Sequence, residues 1–184
     1  IAEVMRRAFA DRAEHLGDPD FNPNIPLDRL ISKEFAKTRF ENIDMAHASP
    51  SDSSKFGQIY DGANTTHFSV VAKDGQPYLV IGSPGGRTII NTVFQTVLNV
   101  LEYDMRIDKA IEAMKIHQQW LPDIISYEEY LLSPDTKRNL ELMGHQLKPV
   151  PNLGVLMGIL IDHKQKILIG ASDSSSSDGA AIGY

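Results

Sequence analysis

The chain has 184 residues, 42% of them hydrophobic and 23% charged, with a formal net charge of −6. That is enough chain for one folded core, and the acidic balance argues against a nucleic-acid or anionic-membrane surface. Cysteine is absent, which excludes disulfides, thiolate catalysis and cysteine–zinc sites. No apolar run approaches the roughly 18 residues of a membrane helix. The chain opens on a helical pattern without an initiating Met, and so reads as a processed form or a fragment.

Ile1, Val4, Met5, Ala8 and Phe9 repeat with helical spacing and predict a helix ending near Leu16-Gly17. A turn-rich stretch follows to Asn24, and then a helix marked by Leu27, Leu30, Ile31 and Phe35, opened by Pro26 and Asp28. From Ala46 to Asn64 the composition shifts to Ser, Asp, Gly and Ala, the pattern of an exposed linker and the favoured place for a chain break. Thr65 to Val71 has strand-forming residue types, Lys73-Asp74-Gly75 is a turn, and Tyr78 to Ile81 is a second strand. Gly82-Ser83-Pro84-Gly85-Gly86 then leads into a long amphipathic helix carried by Ile89, Ile90, Val93, Phe94, Val97 and Leu98. Asp108 reads as the cap of a helix through Ile111 and Met114, and Ser133-Pro134 as the cap of another that Gly144 ends. A late hairpin spans Val155 to Ile161, a polar turn and Ile167 to Ile169. Helices before and between paired strands indicate a layered α/β or α+β domain.

Two places could carry chemistry. A threonine hydroxyl needs a base beside it, and a Thr made N-terminal by backbone cleavage supplies its own α-amine. Asn64-Thr65, where a flexible segment runs into a strand, is a fitting setting for such a cleavage, although Thr65 and Thr66 also read simply as β-prone residues. The second is Gly82 to Gly86, where glycines let the backbone approach a ligand and a helix start offers N–H donors for a phosphate or an oxyanion. A plain strand–helix turn is the competing reading, and the Walker and G-x-G-x-x-G patterns are both absent. The histidines, His15, His47, His67, His117, His145 and His163, have no metal-ligand spacing. Asp173 to Asp178 reads as a solvated loop, with a polar binding edge as the alternative.

Taken together these segments resemble γ-glutamyltranspeptidase, also called glutathione hydrolase. Thr65-Thr66-His67-Phe68-Ser69-Val70-Val71 resembles the start of its small subunit, and Gly82-Ser83-Pro84-Gly85-Gly86-Arg87 its oxyanion loop. His117-Gln118-Gln119-Trp120-Leu121-Pro122-Asp123 is similar to its His-His-Gln-Trp-Leu-Pro-Asp stretch, and Gly170 to Tyr184 to its C-terminus. Ala10-Asp11-Arg12 and Leu16 to Phe21 look like the last part of its large subunit. The resemblance implies an α+β N-terminal-nucleophile hydrolase fold of αββα layers, incomplete here. Residues 1–64 would be the end of the large-subunit-like region with its linker, and 65–184 the small-subunit-like catalytic region.

It further implies autocatalytic cleavage between Asn64 and Thr65, with pairing of the two resulting subunits. Thr65 would be nucleophile and α-amine base, and Gly85 and Gly86 would supply the oxyanion hole. The substrates implied are glutathione or other γ-glutamyl compounds, the acceptors amino acids, peptides or water, and the setting periplasmic or extracellular. No cofactor, metal, nucleic acid or membrane segment is called for.

The sequence departs from the family pattern between its first two strands. Only Ala72-Lys73-Asp74-Gly75-Gln76-Pro77 stands where the family has a long stretch with a second catalytic Thr, an Asn, a Gln–Asp pair and a Ser-Ser pair for the substrate. An internal deletion near 72–77 is therefore expected. The arginine that grips the substrate carboxylate is absent as well, and Asp173-Ser174-Ser175 replaces Asp-Pro-Arg. Beside the enzyme reading stand a non-catalytic remnant or interaction fragment of the family, and a related N-terminal-nucleophile acylase.

Overall fold

The structure, a computed structural model, describes residues 1–17, 20, 22–51, 66–175 and 179–182. The elements are α1 (Ala2–His15), α2 (Leu27–Leu30), α3 (Lys33–Glu41), β1 (Thr66–Lys73), β2 (Gln76–Pro84), α4 (Thr88–Leu101) and α5 (Ile107–Glu112). They continue as β3 (Ile116–His117), β4 (Ile125–Glu128), α6 (Pro134–Leu142), β5 (Leu147–Val150), β6 (Met157–Asp162) and β7 (Ile167–Ser172). Mixed helices and mainly antiparallel strands make this an α+β chain, and no described helix is long and apolar enough to cross a membrane. Two compact units are interleaved in sequence, and a short three-stranded sheet has the order β3-β4-β5.

The first unit takes Ile1–Tyr60, His117–Ser126 and Leu132–Lys148. Helix α1 buries Met5 and Phe9, the Phe9 ring standing edge-on to His117 at 5.8 Å. The same helix buries charge. Arg6 pairs with Glu3 and Asp123, while the Glu3 and Asp123 carboxylates accept the N–H groups of Ser49 and Ser51 at 3.3 and 2.9 Å. One helix was expected from Leu27 to Phe35, but two form. Ser32 ends the run because its Oγ accepts the Phe35 N–H at 3.1 Å and so starts α3 as an N-cap. The second cap falls as read: Ser133 Oγ accepts from Thr136 N at 3.2 Å, Pro134 is first in α6, and Gly144 follows with φ 93°.

The second unit takes Asp61–Ile116, Tyr127–Leu131 and Pro149–Tyr184. Its frame is a four-stranded antiparallel sheet in the order β1-β2-β6-β7. Asp74 and Gly75 join β1 to β2 with φ of 52° and 76°, the doubly positive geometry that a two-residue hairpin demands. Alternation along β2 sends Leu79, Ile81 and Ser83 to one face and Val80 and Gly82 to the other. The first face packs on α4 and α5, with Leu79, Ile81, Val100, Ile107, Ala110, Ile111, Leu156 and Ala171 closing one core. Each large aliphatic side chain there contributes about 1.5–3 kcal/mol by leaving water. That core also explains a misplaced cap. Buried Ile107 opens α5, so Asp108 lies inside the first turn and pairs with Arg106 at 3.1 Å rather than capping the helix.

The opposite face of the sheet is apolar and open. Cross-strand partners place Phe68, Val70, Val80, Met157, Ile159 and Leu168 on it. Phe68, Val70 and Leu168 are between 61% and 67% exposed, and Ala180 to Ile182 border a cavity of about 310 Å³ beside Phe68 and Ile159. An apolar surface of this kind promotes association. The chain should therefore bind an apolar-surface dye and elute larger than a monomer, and Ile159→Lys should weaken both signals. A compact, dye-silent monomer would contradict this.

Candidate active site

The glycine turn is shorter than its sequence pattern suggests. Gly82, Ser83 and Pro84 are still strand, paired with Phe68, His67 and Thr66, and only Gly85 to Arg87 bend between β2 and α4. The turn needs its glycines. Gly85 has φ 134° and Gly86 φ 58°, and a Cβ on Gly85 would sit 2.5 Å from Thr88 Oγ1.

Hydrogen bonds fix how each peptide of the turn faces. Ser83 Oγ, fully buried, donates to the Pro84 carbonyl at 2.7 Å. The Gly85 carbonyl accepts from Thr88 N at 3.2 Å and Thr88 Oγ1 at 3.0 Å. A trans peptide carries its N–H opposite its C=O. Pinning those two carbonyls therefore turns the N–H groups of Gly85 and Gly86 the other way. Among the described residues neither N–H has a hydrogen-bond partner. The first turn of α4 carries no acidic side chain, so nothing there offsets the positive end of the helix. Two adjacent N–H donors at a helix mouth can stabilise a developing oxyanion.

Gly85 and Gly86 lie between β2 and α4. Asn64 and Thr65 lie outside the described residues. What is described is the strand that follows: Thr66 opens β1 opposite Pro84, the residue before the glycine pair. The β1–β2 ladder aligns the start of one strand with the glycine end of the other.

Behind the turn is a cluster that the sequence did not reveal. Lys115 Nζ lies 3.5 Å from Glu128 Oε1 and 3.2 Å from Asp173 Oδ2, and all three side chains are at least nine-tenths buried. Asp173 is therefore no part of a solvated loop. Burial pushes its carboxyl up, but the Ser175 hydrogen bonds and the Lys115 ammonium outweigh that and hold it below the ordinary range. These residues are far apart in sequence and match no spacing motif. The only available signal was a charged residue at a strand position, as Glu128 is beside Tyr127. His117 Nε2 lies 2.8 Å from Gln119 Oε1. Asp11, Glu14 and His15 approach one another within 4.8 Å, but the Asp11 carboxylate is already paired with Arg39. A groove of about 490 Å³ in the first unit is lined by residues such as Val4, Leu16 and Phe35, with the Asp11–Arg39 pair in its wall.

Removing the cation would leave two buried carboxylates without their counter-charge. Lys115→Met should cost about 3–5 kcal/mol in urea unfolding, whereas Arg106→Ala, at an exposed pair, should cost less than about 1 kcal/mol. Equal losses would contradict the burial argument.

The sequence matches the family profile described as Gamma-glutamyltranspeptidase over residues 1–76 and again over 69–184. It is 30% identical to the glutathione hydrolase proenzyme of Escherichia coli (strain K12) over 258 aligned positions, covering 100% of this chain and 44% of the relative. Identity to the glutathione hydrolase proenzyme of Bacillus subtilis (strain 168) is 27% over 262 positions, with the same coverage of 100% and 44%. The chain spans less than half the length of these curated relatives. Among solved structures, a mutant of the Helicobacter pylori γ-glutamyltranspeptidase is 31% identical with a TM-score of 0.58, covering 71% of this chain and 76% of that one. The cephalosporin acylase from Bacillus halodurans has a TM-score of 0.77 at 16% identity, covering 95% of this chain and 42% of that one, a likeness of fold alone.

Proposed function

The chain belongs to the γ-glutamyltranspeptidase family, and from that premise we propose that it is a self-cleaving acyl transferase built for γ-glutamyl amides. Cleavage between Asn64 and Thr65 frees the Thr65 amine. Its hydroxyl then attacks the γ-glutamyl carbonyl, the amine takes the hydroxyl proton, and the N–H groups of Gly85 and Gly86 hold the oxyanion. Collapse expels the leaving amine with that proton and leaves an ester on Thr65. Water, an amino acid or a peptide then takes the acyl group. The observation that carries this reading is the pair of oriented, unspent N–H donors beside the strand that Thr66 opens. Glutathione is the substrate suggested by the names of the relatives, and a periplasmic or extracellular setting belongs to the same reading.

An internal deletion near 72–77 limits that activity. The alignment to the Escherichia coli relative has 258 positions against 184 residues here, an excess of 74. The two family matches overlap at residues 69–76, within the β1–β2 hairpin. In the family this is where residues that grip the substrate α-amine and α-carboxylate are expected. Positioning by such groups can supply about 7–11 kcal/mol of a barrier, so its loss favours slow turnover.

The test is intact mass after incubation. Cleavage should split the 184 residues into pieces of 64 and 120 (184 − 64), and Thr65→Ala should abolish it. A single uncleaved mass would support the non-catalytic remnant instead. Release of anilide from a γ-glutamyl anilide should be slow and Thr65-dependent, and fast turnover would show that the shortened hairpin leaves recognition intact.

A further inference from the structure

We infer that Lys115, Glu128 and Asp173 are positioning residues for the Gly85-Gly86 turn, acting through the segment Leu153 to Leu156. The inference rests on the reading of that turn as the oxyanion site, and it concerns what holds the donors in place.

The segment is held at its start by the Glu128 carboxylate and at its end by the main chain of Asp173. At its start, the Leu153 N–H donates to Glu128 Oε1 at 3.2 Å, while the Leu153 carbonyl accepts from Thr92 Oγ1 at 2.8 Å. At its end, the Leu156 carbonyl accepts the Asp173 N–H at 2.8 Å. Lys115 ties the grips together. Its ammonium lies between the two carboxylates, and its own N–H donates to Glu128 Oε2 at 3.0 Å. Both Glu128 oxygens are thereby committed.

Between these grips the segment presses on the turn. The Val155 N–H donates to Ser83 Oγ at 3.1 Å, and that hydroxyl donates onward to the Pro84 carbonyl. A hydroxyl that accepts one bond is a stronger donor of the next. Gly154 has φ 135° and comes so close that a Cβ on it would lie 2.5 Å from Ser83 Oγ and 3.2 Å from the Pro84 oxygen. One series of contacts therefore runs from the buried ion cluster through Leu153–Val155 and Ser83 to the peptide whose N–H is that of Gly85. An ion cluster kept only for stability could be replaced by apolar side chains of the same volume. Here each carboxylate-bearing residue also meets a main-chain group of the segment, which an apolar residue could not copy with its side chain at Leu153.

Glu128→Gln tests this. A glutamine can accept from the Leu153 N–H or the Lys115 N–H through its single oxygen, but not from both. Amide exchange in the full chain should rise about tenfold at Val155 and Thr88, with less than about a twofold change at core amides such as Ile81 and Val97. Ser83→Ala, a milder change, should reproduce the effect at Thr88, and Lys115→Arg, which keeps the cation, should leave exchange close to that of the unsubstituted chain. Thr65-dependent hydrolysis of an activated γ-glutamyl ester should fall about tenfold in Glu128→Gln and Ser83→Ala alike. Unchanged exchange at Val155 and Thr88, or a uniform rise across the whole chain, would overturn the inference, the latter by marking a merely structural role. If Thr65-dependent ester hydrolysis is unchanged while Glu128→Gln still loosens Val155 and Thr88 selectively, the coupling stands and the oxyanion reading falls.

Discussion

A peptide group cannot offer its N–H to a ligand unless its carbonyl is held facing the other way, and that constraint governs this molecule. Ser83 holds the Pro84 carbonyl and Thr88 holds that of Gly85, so two donors are aimed before anything binds. Donors already oriented need not reorganise when charge develops, which is why such sites are effective in catalysis. Glycine is required because the aim is set by backbone angles that a side chain resists.

The rest of the second unit keeps that arrangement rigid. Strand β2 brings Ser83 in on the buried face, the same face on which Leu79 and Ile81 fix its position against α4 and α5. Helix α4 provides both Thr88, which pins the turn, and Thr92, which pins Leu153. Hydrophobic packing sets the coarse positions and buried hydrogen bonds set the angles. The two are coupled, because the polar groups are kept from water only while the core is closed.

Much of this was legible in the sequence, for identifiable reasons. Helix α1, the Asp74-Gly75 hairpin and the Ser133 cap are local decisions, made by periodicity, positive φ and a side-chain oxygen within a few residues. The glycine pair announced itself by position between a strand pattern and a helix pattern. Where reading failed, either a tertiary contact had decided, as burial of Ile107 overrode Asp108 as a cap, or a local cap was passed over, as Ser32 divided a helix that apolar spacing ran together. Lys115, Glu128 and Asp173 meet only because three distant segments fold onto one another, and no spacing along the chain encodes that. Thr65, the proposed nucleophile, was assigned through resemblance and lies outside the described residues.

In the proposed reading the chain keeps the apparatus for acyl chemistry and lacks a stretch that recognises the glutamyl group. A comparison of two p-nitrophenyl esters, acetyl and γ-glutamyl, separates those properties, because an activated ester needs little positioning to react. Thr65-dependent hydrolysis with kcat/KM values within about tenfold of each other, a difference of about 1.4 kcal/mol in transition-state binding, is the predicted result. A γ-glutamyl ester preferred by several orders of magnitude, or hydrolysis of both that survives Thr65→Ala, would contradict the account.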